Sequence, residues 1–337
     1  MKIYHQLSDF KKLDNAIVTI GTFDGVHFGH QKIIKRLCEL AKASGGESVL
    51  LTFFPHPRMI IDPENQELKM INTIEEKAQI LASLGVDHLI ITPFTRDFSN
   101  LSASDYIKNI LVDAIGTKKI IIGYDHRFGK DRLGNINTLA ENAHNYGYQV
   151  EEIPEQDIDD VAVSSTKIRK ALLDGDVALA NNYLGYAFSI YGPVIKGDKI
   201  GRTIGFPTAN IFVPETYKLI PGDGIYAVTV EMDFEIESEK SKVESKNTEL
   251  NDALSTFNIK PSTFKGMAYI GQRPTINGMT RNIEVNIFDF NREIYGQNIK
   301  MNFLAFLRED VKFTGLEALT KQLQQDKEDT LAFFEGK

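Results

Sequence analysis

The chain has 337 residues, too many for one ordinary core and close to the length of two domains. With 42% hydrophobic and 25% charged residues it has the make-up of a soluble globular protein. A formal net charge of −8 argues against a broad nucleic-acid-binding face, yet permits a local basic site. No run approaches the ~18 apolar residues of a membrane span, and Met1-Lys2-Ile3-Tyr4-His5-Gln6 contains no signal-peptide core. Cys38 is the lone cysteine, so no intrachain disulfide can form. The expectation is a cytoplasmic enzyme with no membrane or nucleic-acid partner; a homo-oligomer is left open.

In chain order, Ala16–Ile20 is a short apolar run of strand composition. Ile33, Ile34, Leu37, Leu40 and Ala41 then recur at helical spacing. Between them lies Gly21-Thr22-Phe23-Asp24-Gly25-Val26-His27-Phe28-Gly29-His30, a glycine-rich strand-to-helix turn. Glycines admit a close backbone approach, and the helix start offers unpaired N–H donors to an anion. His27 and His30, three apart at the helix entrance, can both point at that anion; the plain alternative is that they only cap and cover the helix.

Residues 47–54 read as a second buried strand, and Pro55-His56-Pro57-Arg58 as a loop that is solvated although His56 and Arg58 could face a phosphate. Thr73 and Glu76 have capping-box spacing and open a helix that runs to about Leu84. A strand over Val86–Ile91, a helix opened by Ser102 and closed by Gly116, a strand over Lys119–Gly123, a helix over Ile136–Tyr146 and a strand over Tyr148–Ile153 follow. This alternation predicts a parallel sheet with helices on both faces and ligands beyond the carboxyl ends of its strands. The unusual residues fall there: His27 and His30 after the first strand, His56 after the second, and the charged run Asp125–Arg132 after the strand ending at Gly123. Ser164-Ser165-Thr166 precede a further helix, with Lys167 and Arg169 behind them. One cap needs one hydroxyl, so the surplus suits phosphate binding, to which Arg adds bidentate contacts. A second short helix ends near Leu184-Gly185, which closes a first domain of residues 1–185.

From Phe188 onward, within residues 186–337, the pattern turns to short strands: Ser189–Ile195, Ile225–Val230, Gly266–Ile270, Ile283–Phe288 and Lys300–Phe306, closed by a helix over Leu316–Phe334. Their spacing predicts a small antiparallel barrel of Greek-key character. A loop bearing Gly197, Gly201, Arg202 and Gly205 runs into Pro207-Thr208-Ala209-Asn210. The Thr208 hydroxyl and Asn210 amide oxygen are hard neutral ligands, of the kind that hold Mg²⁺ with nucleotide phosphates. Alternation along Ile283–Phe290 puts Glu284, Asn286 and Phe288 on one face. Residues 235–263 are polar, charged and aperiodic, and read as a disordered insertion.

The G-T-F-D-G-V-H-F-G-H run resembles the H-x-G-H nucleotidyltransferase superfamily, and Asp24 narrows the resemblance to its flavin-nucleotide branch. Gly123-Tyr124-Asp125-His126-Arg127-Phe128-Gly129 is similar to that branch's G-x-D-F-x-F-G, with His126 where an aromatic is usual. Val163–Arg169 is similar to its I-S-S-T-x-I-R. In the second half, Pro207–Asn210, Ile270–Thr275 and Ile283–Phe290 together resemble riboflavin kinase. Over nearly the whole chain, the insertion excepted, the resemblance is to the bacterial bifunctional riboflavin kinase/FMN adenylyltransferase (FAD synthetase) family. It implies an α/β chain: a Rossmann-like nucleotidyltransferase domain, then a Greek-key β-barrel kinase domain with a C-terminal helix.

The resemblance further implies Mg²⁺ as cofactor, ATP as co-substrate, and riboflavin and FMN as flavin substrates. It makes His27, His30 and Glu284 catalytic, Glu284 being the base. Gly21, Phe23, Asp24, Gly29, Ser164, Ser165, Thr166 and Arg169 would bind ATP and phosphate, and Asp125 and Arg127 would sit in an FMN or ATP loop. Gly197, Gly201, Arg202, Gly205, Thr208 and Asn210 would bind ATP and flavin in the barrel, with Thr208 and Asn210 on the metal. The family often has His at Asn286, and Arg308 matches a family segment without a fixed role. The rival is an adenylyltransferase for another phosphorylated acceptor, its barrel a mere binding module.

Overall fold

The computed structural model describes residues 1–62, 64, 68–124, 126–154, 163–197, 200–232, 262–275 and 278–336. Asp125 lies outside them, as do residues 235–261 of the insertion; Ser262 and Thr263 already belong to a strand. Two compact units emerge. One comprises Met1–Leu173, Leu179–Tyr186 and Glu215–Ile220; the other comprises Asp174–Ala178, Ala187–Pro214 and Pro221–Lys337.

The first unit is built on six parallel strands: β1 (Lys2–Tyr4), β2 (Ala16–Ile20), β3 (Glu47–Phe54), β4 (His88–Pro93), β5 (Thr117–Gly123) and β6 (Gln149–Ile153). Their spatial order is β1-β4-β3-β2-β5-β6. The order reverses at β2, which pairs with β3 on one side and β5 on the other. A crevice therefore opens beyond the carboxyl end of β2, the usual place for a ligand in such a sheet.

Period-2 alternation sorts the strand side chains to two faces. Val18, Ile20, Val49, Leu51, Ile120 and Ile122 pack against Tyr106, Ile107, Ile110, Leu111 and Leu139. On the opposite face Ile17 and Ile121 meet Ile33, Leu37 and Ala41 of α1 (Phe28–Ser44), and Leu50 and Leu89 meet Ala78 and Leu81. Cys38 is half-buried beside this last group, a core residue as its place on the helix predicts.

The elements differ from the sequence expectation in several places. β1 is three residues long, too short for an alternation signal, and is recruited by pairing with β4. Pro57–Ile61 is a short helix, α2, where a loop was expected: Pro57 occupies its first turn and the His56 ring accepts a hydrogen bond from the Arg58 N–H, so the residues that suggested a loop start a helix. α3 (Ile74–Ser83) has the capping box its sequence announces, and α4 spans Arg96–Ser99. The helix opened by Ser102 runs as an α-turn, α5 (Ala103–Asp105), before winding as a π-helix over Tyr106–Ile115, a form common near functional sites. α6 (Ile136–Tyr146), α7 (Ser165–Leu173) and α8 (Val177–Leu184) follow.

The second unit is a closed antiparallel barrel of β7 (Ser189–Ile195), β8 (Ala209–Ile211), β9 (Gly224–Met232), β10 (Ser262–Thr275), β11 (Gly278–Ile287) and β12 (Asn298–Arg308), in the order β10-β11-β8-β7-β12-β9. A further difference is β8, which makes the end of the Pro-Thr-Ala-Asn run a strand. Closure removes every sheet edge and lets one short strand survive between two longer neighbours. A short helix, α9 (Ile200–Thr203), interrupts the glycine loop, and α10 (Leu316–Phe334) closes the chain, packing Leu323 and Leu331 against Phe206, Met267 and Phe288.

Candidate functional site

In the first unit, β2 delivers the chain into a turn of unusual backbone. Phe23, Gly25 and Val26 all have positive φ, at 46°, 85° and 36°. Non-glycine residues in this region are strained, and such strain persists only where the surroundings hold it. Here they do: the buried Asp24 carboxylate accepts from the Ile71 N–H at 3.0 Å and from the Arg169 guanidinium at 2.5 Å. The Asp24 carbonyl accepts from the Ser165 hydroxyl at 2.9 Å. The Thr22 carbonyl accepts from the buried Lys77 ammonium at 2.7 Å. Gln31 donates to the Val26 and Leu184 carbonyls.

His27 is the N-cap residue of α1, but its side chain makes no capping hydrogen bond. That removes capping, one half of the plain alternative, for it. The His27 and His30 rings stack at 3.7 Å between centroids, and Phe23 meets His30 edge-on at 5.1 Å. Nδ1 of each histidine is buried without a partner among the described residues. Burial lowers the pKa of His27 to about 4 against the pull of Asp24, and burial, His27 and Lys77 together hold His30 well below 6.5. Both rings are therefore neutral at pH 7.

A cavity of about 1170 Å³ opens over these rings and is edged by Arg58, Arg96, Arg127, Arg132, Lys167 and Arg169, a local basic site in an acidic chain. Gly21, Phe23, Asp24, Gly29, Ser164, Ser165 and Thr166 line it too, so the predicted residues of this unit that are described all meet here. Ser164 also caps α7 through the Lys167 N–H. Arg169 does not reach freely into the cavity: it is tied to Asp24 and to the Lys69 carbonyl. His56, expected in a solvated loop, lines the cavity, and burial lowers its pKa to about 4 despite Asp24.

Sequence reading missed the cavity's other wall. Phe53, Phe94, Phe98, Tyr106 and Phe128 form a chain of ring contacts 5.3–5.9 Å apart, and His126 stacks on Phe128 at 5.9 Å. All six line the cavity. Tyr106 Oη and His126 Nε2 are buried without partners among the described residues. The rings come from the end of β3, the residue after β4, α4, the π-helix and the stretch after β5, so no single local pattern announces the wall; only the stretch with His126 and Phe128 was singled out in the sequence.

In the barrel, register places Glu284 of β11 directly opposite Asn210 of β8. The Thr208 hydroxyl donates to Glu284 Oε2 at 2.8 Å, and the Asn282 amide donates to Oε1. Asn286, two residues along on the same face, donates to the Pro207 carbonyl at 2.7 Å and so fixes the segment carrying Thr208. Arg281, a neighbour on the same strand, is paired with Asp223. A Cβ on Gly197 would lie 2.3 Å from Asn210 Nδ2, so any side chain there would force Asn210 to shift. Gly201 and Gly205 are explained by the turn: a Cβ on Gly201 would meet the Phe206 carbonyl at 2.2 Å, and Gly205 has φ +85°. Arg202 is exposed on α9. Arg308 forms a bidentate pair with the buried Asp326 at 2.7 Å, which fastens β12 to α10. Thr208 and Asn210 thus stand beside Glu284 in the barrel, and a hydroxyl and an amide oxygen are hard neutral donors of the kind that fit Mg²⁺.

A nucleotide-sized basic cavity at a sheet's switch point and a hydroxyl-held carboxylate on a closed barrel suit a transferase with two sites. Comparison with known proteins is specific. Residues 9–167 match the FAD synthetase family model, and residues 184–334 match that of riboflavin kinase. Proteins named bifunctional riboflavin kinase/FMN adenylyltransferase are 37% identical in Listeria monocytogenes (98% of this chain, 97% of the relative), 33% in Bacillus subtilis (95% and 92%) and 31% in Escherichia coli K12 (98% and 96%). The chain belongs to the bifunctional riboflavin kinase/FMN adenylyltransferase family. A solved structure titled as a macrolide-efflux protein from Streptococcus pneumoniae shares the fold over 98% of both chains, at 30% identity and TM-score 0.81. Among the described residues no helix is long and apolar enough to cross a membrane.

Proposed function

We infer that the chain makes FAD in two steps: riboflavin and ATP give FMN and ADP in the barrel, then FMN and a second ATP give FAD and pyrophosphate in the N-terminal unit. The observation that carries this reading over a single-activity adenylyltransferase is the Thr208–Glu284 contact opposite Asn210, since a binding module has no need of a held base.

In the first step the ribityl 5′-hydroxyl attacks the γ-phosphorus. Glu284 accepts the proton that leaves, its carboxylate aimed by Thr208 and Asn282. Thr208 and Asn210 would hold Mg²⁺, which when bound neutralises charge on the ATP phosphates. In the second step the FMN phosphate is already a competent nucleophile, so positioning and charge stabilisation suffice. The aromatic wall takes the planar flavin ring. His27 and His30, neutral before binding, present ring N–H groups to the α-phosphate region, where developing charge is stabilised in a closed site. Arg58, Arg127 and the Ser164–Thr166 hydroxyls surround the remaining phosphates.

Incubating the full chain with riboflavin and Mg-ATP and separating the flavins by chromatography tests the reading. FMN should appear first and convert to FAD with one pyrophosphate released per FAD. Riboflavin recovered unchanged, with adenylation of some other phosphorylated acceptor, would favour the rival.

A further inference from the structure

Glu215–Ile220 lies within the stretch that matches riboflavin kinase, between β8 and β9, yet it packs with the first unit. There it forms a small parallel bridge with the chain at residues 69–71. The Met70 N–H donates to the Tyr217 carbonyl at 2.7 Å, and the Leu219 N–H donates to the Met70 carbonyl at 2.8 Å. Lys69 Nζ donates to the Thr216 carbonyl at 2.8 Å, and the Tyr217 ring lies 5.1 Å from Phe54 at the end of β3. At the centre is Lys218, its side chain 1% exposed, donating to the Ile71 carbonyl at 2.8 Å and pairing with Glu76. Glu76 is itself the capping-box residue of α3, accepting from the Thr73 N–H. A buried ammonium is costly to desolvate, and its partners matter chiefly for the geometry they fix.

The same residues, 69–72, face the H-x-G-H site with their other polar groups. The Ile71 N–H holds the Asp24 carboxylate, Arg169 donates to the Lys69 carbonyl at 2.8 Å, and the Tyr186 hydroxyl reaches Asn72 Oδ1 at 3.2 Å. Asp24 in turn holds the strained turn that presents His27 and His30. Lys218 does not line the cavity, so it acts on the reacting groups only through this backbone.

We propose that Glu215–Ile220 is a strap that positions the adenylyl-transfer site, with Lys218 as its anchor and Asp24 as the group it sets. A segment counted with the kinase sequence is then part of the machinery of the other activity. The proposal rests on the adenylyltransferase reading above.

The test uses the full chain carrying Lys218→Met together with Glu76→Gln, so that no carboxylate is left stranded. FMN adenylation should lose at least tenfold in kcat with KM for FMN changed less than threefold, while riboflavin phosphorylation by the same molecules stays within twofold of wild type. Lys218→Arg should recover most of the loss. Adding Asp24→Asn should then cost little more, because both changes act on one element. Tyr217→Leu, which loosens the strap without touching a charge, gives the same pattern in milder form and serves if the first variant does not fold. Adenylation at the wild-type rate in the folded variants, or effects of Lys218 and Asp24 that simply multiply, would overturn the strap. A wild-type chain that forms no FAD from FMN would instead overturn the adenylyltransferase reading.

Discussion

Replacing Glu284 by Gln keeps the side chain's shape and removes its ability to accept a proton. In the wild type both carboxylate oxygens are acceptors, one for the Thr208 hydroxyl at 2.8 Å and one for the Asn282 amide. Glutamine offers one acceptor oxygen and one NH₂ group; the Thr208 hydroxyl can turn to accept from that NH₂, so both contacts persist but lose the charge. A hydrogen bond to a charged group contributes ~1.5–3 kcal/mol against ~0.5–1.5 for a neutral one, so roughly 1 kcal/mol per contact is lost, less at this half-buried position. The catalytic loss is larger: a positioned base contributes about 10²–10⁴-fold, or roughly 3–5 kcal/mol of barrier. Steady-state formation of FMN from riboflavin should therefore fall at least a hundredfold, with riboflavin affinity by fluorescence titration largely kept and urea-unfolding stability lower by ~1–2 kcal/mol. Adenylation of supplied FMN should be unaffected. A folded variant that phosphorylates riboflavin within threefold of the wild-type rate would remove Glu284 from the mechanism and leave the Thr208 contact a structural one.

Gly197→Ala would bring a Cβ to 2.3 Å from Asn210 Nδ2, and Asn210, itself buried, must shift. Riboflavin kinase kcat/KM should drop about tenfold, as for a modest misplacement of a positioning group, with FAD formation from FMN unchanged; equal activity would show that Asn210 needs no fixed position. Stability should be pH-dependent on the acid side. His27 and His126 titrate near pH 4 in the folded chain, by burial first, whereas an unfolded histidine titrates near 6.5. Between those values the unfolded chain binds more protons, so stability rises with pH there and falls as acid is added from 6.5 towards 4, by up to ~3 kcal/mol per histidine. Urea unfolding at a series of pH values should show this slope, and His126→Phe should flatten it; parallel slopes for the two proteins would contradict the assignment.

Much of this was legible in the sequence because strands and helices with strong periodicity announce themselves. β2, α6, β7 and α10 end where their patterns end. The histidines, Glu284 and Thr208 were singled out for another reason: each belongs to a short run of consecutive residues that resembles a family motif, and their roles rest on that resemblance. What was hidden is what only three dimensions assemble. The aromatic wall draws Phe53, Phe94, Phe98, Tyr106 and Phe128 from five places, none unusual where it stands. Asp24 reads as a phosphate-site residue in the motif, yet its carboxylate is engaged by Ile71 and Arg169. Asn286 had no use legible in the sequence, and the contact to Pro207 that gives it one spans 79 positions. His56 was mistaken for a solvated residue because Pro-His-Pro-Arg is turn composition, whereas the fold uses it to start a helix at the cavity's edge.

The central claim is that one chain carries two separable transfer sites, and His30→Ala tests it most directly. The variant is supplied with riboflavin and Mg-ATP, and FMN and FAD are followed by chromatography over time. His30 lies in the cavity of the first unit, its Nδ1 buried without a partner among the described residues, and loss of one charge-stabilising donor typically costs ~10²–10³ in rate. FMN should form at the wild-type rate and accumulate, with FAD appearing two to three orders of magnitude more slowly. FMN and FAD formation falling together in a folded variant, or FAD forming at full speed, would contradict the two-site account.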